Sequence, residues 1–170
     1  AASMTSHRPT AADRANVACI IFMMDEKDVQ AGLASPLVAF CTDSPAGATD
    51  GIFSEEKSHP RGWASSARIL GKYVRDEKVL RLEEAIRKMT SFPAESAGIQ
   101  GRGLLKVGFA ADIATVDMAK VKDLATYEEP RMYSAGFPYV AVNGVLVVDD
   151  GKITGAAPGK ALRGPGYRAP

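Results

Sequence analysis

Four side chains with complementary chemistry fall close together in this sequence. Asp43 closes the apolar run Leu37-Val38-Ala39-Phe40-Cys41-Thr42, and the loop His59-Pro60-Arg61-Gly62-Trp63 follows sixteen residues later. A carboxylate at the end of such a run can take and return a proton, and a planar guanidinium can fork onto a carboxylate ligand. An imidazole and an aromatic face beside them would complete a small polar site with one apolar wall. The alternative for Asp43 is an ordinary acidic turn residue, since Asp is a common turn former. For Arg61 the alternative is a surface ion pair.

The elements that must position these groups follow from the hydrophobic pattern. Val17 to Met24 and Leu37 to Thr42 are short apolar runs that predict strands, separated by a helix opening at Asp25-Glu26-Lys27-Asp28 and ending between Gly32 and Pro36. A strand, helix, strand unit of this kind builds parallel sheets, whose functional edge lies at the C-terminal ends of the strands. Ala64 to Val74 predicts a helix interrupted near Gly71. Leu80 to Thr90 predicts a second, with Leu82, Ala85, Ile86 and Met89 on its apolar face and Arg81, Glu84, Arg87 and Lys88 on its solvent face. Ser91-Phe92-Pro93 restarts a short helix that Gly98 stops. Beyond it, Asp112 to Val116 reads as a strand, and Tyr139 to Val142 and Val145 to Val148 flank Asn143-Gly144, a two-residue hairpin signal. Asp149-Asp150-Gly151 predicts the next turn, and Lys120 to Phe137 an excursion between strands.

Composition excludes several function classes. The chain has 170 residues, 46% of them hydrophobic, with 21 basic and 20 acidic residues and a net charge of +1. That length suits one domain with a real core. No basic block or stripe supports binding to nucleic acid, and no apolar run approaches a membrane span or a signal peptide, so neither nucleic acid nor membrane is an expected partner. Cys19 and Cys41 both lie in apolar runs, which predicts reduced, buried thiols and a cytoplasmic location. Gly101-Arg102-Gly103 follows no clear strand, and Gly155 to Lys160 lacks both the length and the hydroxyl residue of a phosphate loop, so phosphate binding is not expected. Thr42-Asp43-Ser44-Pro45 lacks the glycines of a nucleophile elbow. Asp50, Glu55 and Glu56 read as solvated loop charges.

The order and spacing of several further pieces are specific. His59-Pro60-Arg61, Ser66 to Val74, Leu82 to Ala94, Gly101-Arg102-Gly103-Leu104-Leu105, Gly108 to Asp112 and Val142-Asn143-Gly144-Val145 together resemble the C-terminal region of the N-acyl-D-amino-acid deacylases, or D-aminoacylases, of the amidohydrolase superfamily. The resemblance covers roughly residues 17 to 165. It implies an α/β fold class: the C-terminal part of a metal-dependent amidohydrolase (β/α) barrel, incomplete in this chain, plus strands of a small flanking β domain. Residues 1–16 read as a polar N-terminal extension of cloning origin or a truncated edge, 17–100 as the last β/α units of the barrel, 101–154 as the small β domain with its hairpin, and 155–170 as a loosely held tail.

The resemblance also implies chemistry. Asp43 falls on the family's acidic metal-site position after the eighth barrel strand, where it would stand beside zinc and shuttle a proton from water to the leaving amine. Arg61, with His59 ordering the loop, would bind the carboxylate of a small N-acyl amino acid. The loop between Asp43 and His59 is longer than the family pattern. The family's His-x-His pair and its other metal ligands are missing, since the chain holds only His7 and His59. Zinc is therefore expected in the full-length family but not on this chain alone, which should be catalytically silent and should associate into a homo-oligomer or a domain-swapped assembly through unpaired barrel edges. Two other readings stay open: a non-catalytic fragment or accessory module acting through protein association, and a cyclic-amide hydrolase of the dihydropyrimidinase type.

Overall fold

The computed structural model describes residues 21–44, 47–49, 59–164 and 166–168. The predicted first helix forms as α1, Glu26–Ala34, because Asp25 caps it: the carboxylate accepts the Lys27 N–H at 2.8 Å, and Glu26 and Asp28 load the first turn. Ser35 and Pro36 end it. Val29 and Leu33 on its inner side pack against the core.

Neither strand predicted around α1 is present among the described residues. Residues 17–20 lie outside them, Ile21–Met24 carry no strand, and Leu37–Thr42 form no ladder, their amide from Phe40 reaching instead to the carbonyl of Lys88 at 3.4 Å. The physical reason is pairing. A parallel strand exists only through its neighbours, and the described residues supply no parallel partner. Ile21, Met23 and Leu37 are accordingly 70%, 78% and 84% exposed.

Helix α2, Arg61–Arg68, runs without a break into a π-helical segment, Ile69–Asp76, so the predicted interruption at Gly71 is replaced by a widening of the helix. Gly71 is there for close approach. A Cβ on it would stand 2.9 Å from the Val121 carbonyl oxygen. Helix α3, Leu82–Met89, and helix α4, Ser91–Ser96, follow as predicted, with Pro93 in the first turn of α4 and Gly98 at φ +67° after its end. One face assignment is corrected: Lys88, predicted to face solvent, is fully buried, while Leu82 and Ile86 of the predicted apolar face are more than a third exposed. Ala67, Ile69, Leu70, Tyr73, Ala85 and Val121 form the buried cluster, with Phe40, Met89, Val116 and Phe137 packed around it.

The second half builds an antiparallel sheet in the order β1 (Ile113–Ala114), β2 (Val140–Val142), β3 (Val145–Asp149) and β4 (Lys152–Ile153). Asn143 and Gly144 both take positive φ, 49° and 81°, as a type I′ hairpin requires, and Asp150-Gly151 repeats the device. β1 is shorter than its predicted range because Val116 turns to the helical core. Arg102 has a structural task. Its guanidinium donates to the Asp112 carboxylate and, at 2.6 Å, to the Asn143 side-chain oxygen, while Asp112 accepts the Asn143 amide at 2.8 Å. These bonds tie the Gly101–Gly103 turn to β1 and the hairpin, and they hold the Asp112 carboxyl below its ordinary range. The tail is tethered where Asn143 donates to the Pro158 carbonyl at 2.8 Å. No helix among the described residues is long and apolar enough to cross a membrane.

Candidate functional site

Asp43 adopts φ +47°, a left-handed conformation that Asp tolerates better than most residues. Arg61 opens α2 and reaches back across the intervening loop. Its Nη2 donates to the Asp43 Oδ2 at 2.9 Å, and its Nε donates to the Asp43 backbone oxygen at 3.1 Å. The structure thus joins the two residues that the sequence analysis separated by a long loop, and both ends of Asp43 are held by one guanidinium.

His59 sets the start of α2. Its Nδ1 accepts the Arg61 backbone N–H at 3.0 Å, satisfying one of the donors that a helix N-terminus leaves free. An accepting Nδ1 requires a neutral ring with its proton on Nε2, and partial burial, aided by the nearby Arg61 charge, lowers the imidazole below its ordinary value. The ring also meets Tyr127 edge-on at 5.2 Å, and Tyr127 meets Phe22 at 4.9 Å.

These groups line an open groove of about 1060 Å³ whose walls include Asp43, His59, Arg61, Tyr127, Phe22, Phe40, Cys41, Ile69 and Tyr73. Its lining mixes the polar Asp43, His59 and Arg61 with aromatic and aliphatic side chains. Trp63 does not line it: its indole packs against Gly47 and meets Tyr133 at 5.3 Å, and its carbonyl accepts the Ser134 hydroxyl at 2.9 Å. Cys41, expected to be buried, is an exposed free thiol whose sulfur accepts the Asp43 amide at 3.4 Å. Tyr127 is the groove residue that sequence reasoning missed. Its only signal was an aromatic inside the polar excursion from Lys120 to Phe137. Asp50, Glu55, Glu56 and His7 lie outside the described residues.

The donor set does not make a metal site. Among the described residues, no group of three His, Cys, Asp or Glu side chains could hold an ion together. Asp43 is one carboxylate with one of its oxygens already on Arg61, whereas zinc asks for three protein ligands even in an open catalytic site. The ion pair itself is exchangeable. The side chains of Asp43 and Arg61 are 85% and 45% exposed, and such pairs stabilise by under about 1 kcal/mol, so a competing carboxylate can take the guanidinium.

Residues 36–148 match the amidohydrolase family. A D-aminoacylase and an N-acyl-D-glutamate deacylase, both of Alcaligenes xylosoxydans xylosoxydans, are 41% and 39% identical to the chain over 144 residues, covering 84% and 85% of it. The chain spans only 28% of the length of either relative. A dihydroorotase of Endomicrobium trichonymphae is 51% identical over 43 residues, a quarter of the chain. Among solved structures, a D-aminoacylase with a binuclear metal centre superposes with a TM-score of 0.70 at 40% identity, covering 79% of this chain and 27% of that one. The N-acyl-D-glutamate deacylase of Bordetella bronchiseptica, solved with zinc and a phosphonate mimic of the tetrahedral intermediate, superposes with a TM-score of 0.65 at 36% identity, covering 76% and 27%.

Proposed function

This chain belongs to the amidohydrolase family, and on that premise we propose that it is the C-terminal segment of a zinc-dependent enzyme hydrolysing the amide bond of N-acyl-D-amino acids. The observation that carries the reading is the Arg61 guanidinium lying on a carboxylate in the wall of a largely apolar groove. In the substrate complex Arg61 exchanges the Asp43 carboxylate for that of the N-acyl amino acid, and His59 keeps the start of α2 in place. Asp43, released, accepts a proton from the attacking water and returns it to the leaving amine, giving a carboxylic acid anion and a free D-amino acid. The aromatic wall of Tyr127, Phe22 and Phe40 receives apolar parts of the substrate. The metal would be held by residues outside this chain with Asp43 at its edge, and the chain alone is silent.

A grafting experiment tests the reading. The segment of the A. xylosoxydans D-aminoacylase matching this chain is replaced by residues 21–164, and hydrolysis of N-acetyl-D-amino acids is assayed. Recovered activity with D-selectivity is the expected result. A folded, metal-loaded chimera without activity would favour the non-catalytic module, and one active on cyclic amides would favour the dihydropyrimidinase-type reading, which at present draws on the short dihydroorotase match alone.

The exposed run from Ile21 to Met24 and Leu37 to Val38 also supports association of the isolated chain, by edge pairing or swapping. Sedimentation at micromolar concentration should show dimers or larger species. A clean monomer would contradict this.

A further inference from the structure

Lys88 is the one charged side chain buried among the described residues, with a relative exposure of 0%. Buried lysines ordinarily pair with a carboxylate or shed their charge, but Lys88 does something different. Its Nζ donates to the Leu33 carbonyl at 2.5 Å and to the Ser35 carbonyl, which also accepts the Val38 N–H at 3.4 Å; both carbonyls lie at the C-terminal end of α1, where the helix dipole favours a cation. It also lies 5.4 Å from the centre of the Phe40 ring, and its own carbonyl accepts the Phe40 N–H at 3.4 Å. The neighbouring Arg87 adds a bond from Nη2 to the Pro36 carbonyl at 2.9 Å. The last turn of α3 thereby grips the chain at four points between Leu33 and Phe40, three residues before Asp43.

We propose that Lys88 is a positioning residue for Asp43, fixing the Leu33–Phe40 turn so that the following residues carry the carboxylate to the guanidinium of Arg61. The inference rests on the reading of Asp43 and Arg61 as the site. The Leu37–Thr42 segment has no ladder to hold it, so some other device must set where it ends, and a core side chain bonded to two backbone oxygens does so more rigidly than an exposed ion pair. A hydrophobic residue would fill the same volume. It would take the Nζ donor from both carbonyls and leave Ser35 only the Val38 N–H at 3.4 Å, so an ammonium serves the position better than bulk alone. Burial pushes the Lys88 ammonium below its ordinary range, while Glu84 acts in the opposite direction.

The test uses the 170-residue chain, isotope-labelled, and reads hydrogen exchange at the Phe40 amide and at the Nε–H of Arg61, which donates to the Asp43 backbone. Lys88→Met should speed both about tenfold or more relative to a Leu70→Ala control of matched stability loss, and Lys88→Arg should restore most of the protection. Should Lys88→Met not fold, Lys88→Gln, a shorter side chain with two donor protons, replaces it in the same comparison. Unchanged exchange at Arg61 with a lowered melting temperature would make Lys88 a core residue only and overturn the proposal. An Arg61 signal that does not respond to Asp43→Asn either would instead remove the site reading on which the proposal stands.

Discussion

Asp43→Asn is expected to lower kcat of the grafted deacylase by about a thousandfold, the scale on which a positioned acid or base contributes. Asparagine keeps the size of the side chain and can still accept one hydrogen bond from Arg61, but it cannot take a proton from water. The same substitution should have the opposite effect on binding. In the parent chain the Asp43 carboxylate accepts from the guanidinium Nη2 at 2.9 Å, while its backbone oxygen accepts from Nε at 3.1 Å. A neutral amide competes less well, so the variant should bind N-acyl-D-amino acids more tightly as its turnover collapses. Steady-state kinetics separates the two effects. A fall in kcat with KM also lowered supports a proton-transfer role, whereas a raised KM with kcat intact would make Asp43 a mere partner of Arg61.

Gly136→Ala should be the most damaging small substitution in the fold. Gly136 has φ +89°, and a Cβ there would lie 2.4 Å from the Cα and 2.6 Å from the nitrogen of Val121. Neither is the end of a flexible side chain, so the backbone must move. Val121 itself is fully buried, and on its other side its carbonyl faces Gly71 of the π-helical segment and accepts from Arg75 at 2.8 Å. The two glycines thus close on one residue and dock the excursion that presents Tyr127 to His59. Left-handed strain added to a backbone clash should cost about 3 kcal/mol, or roughly 10 °C in melting temperature for a chain of this size. Thermal unfolding followed by circular dichroism checks it. A shift of a degree or two would mean that the excursion is not anchored at Val121.

What was legible in the sequence depended on how local its cause was. Asp25 at the start of α1 and Asn143-Gly144 in the hairpin each carry their own geometry, so their elements stand where the residues predict. The strands around α1 did not form among the described residues because a parallel strand needs neighbours that no local pattern contains. Lys88 was placed in solvent because lysine usually belongs there, and the carbonyls that draw it inward lie at the end of a helix 53 and 55 residues earlier. The approach of Arg61 to Asp43 was foreseeable as chemistry but not as contact, since the loop between them sets the distance. Tyr127 was illegible for the same reason: its segment is brought to the groove by distant contacts, the close packing at Val121, the Arg68–Asp123 ion pair and the Ser134 bond to Trp63. Gly71 was read as a break because glycine weakens helices, when its task is to let another backbone come near.

The most direct test of the central claim, that Arg61 is a carboxylate receptor beside Asp43, is a titration of the isotope-labelled chain with N-acetyl-D-methionine and with its methyl ester, followed at the Arg61 Nε–H. The account predicts a saturable shift with the free acid, weaker with the L-enantiomer, absent with the ester and strengthened by Asp43→Asn. Equal responses to acid and ester, or none at Arg61 in either the parent chain or the variant, would contradict it.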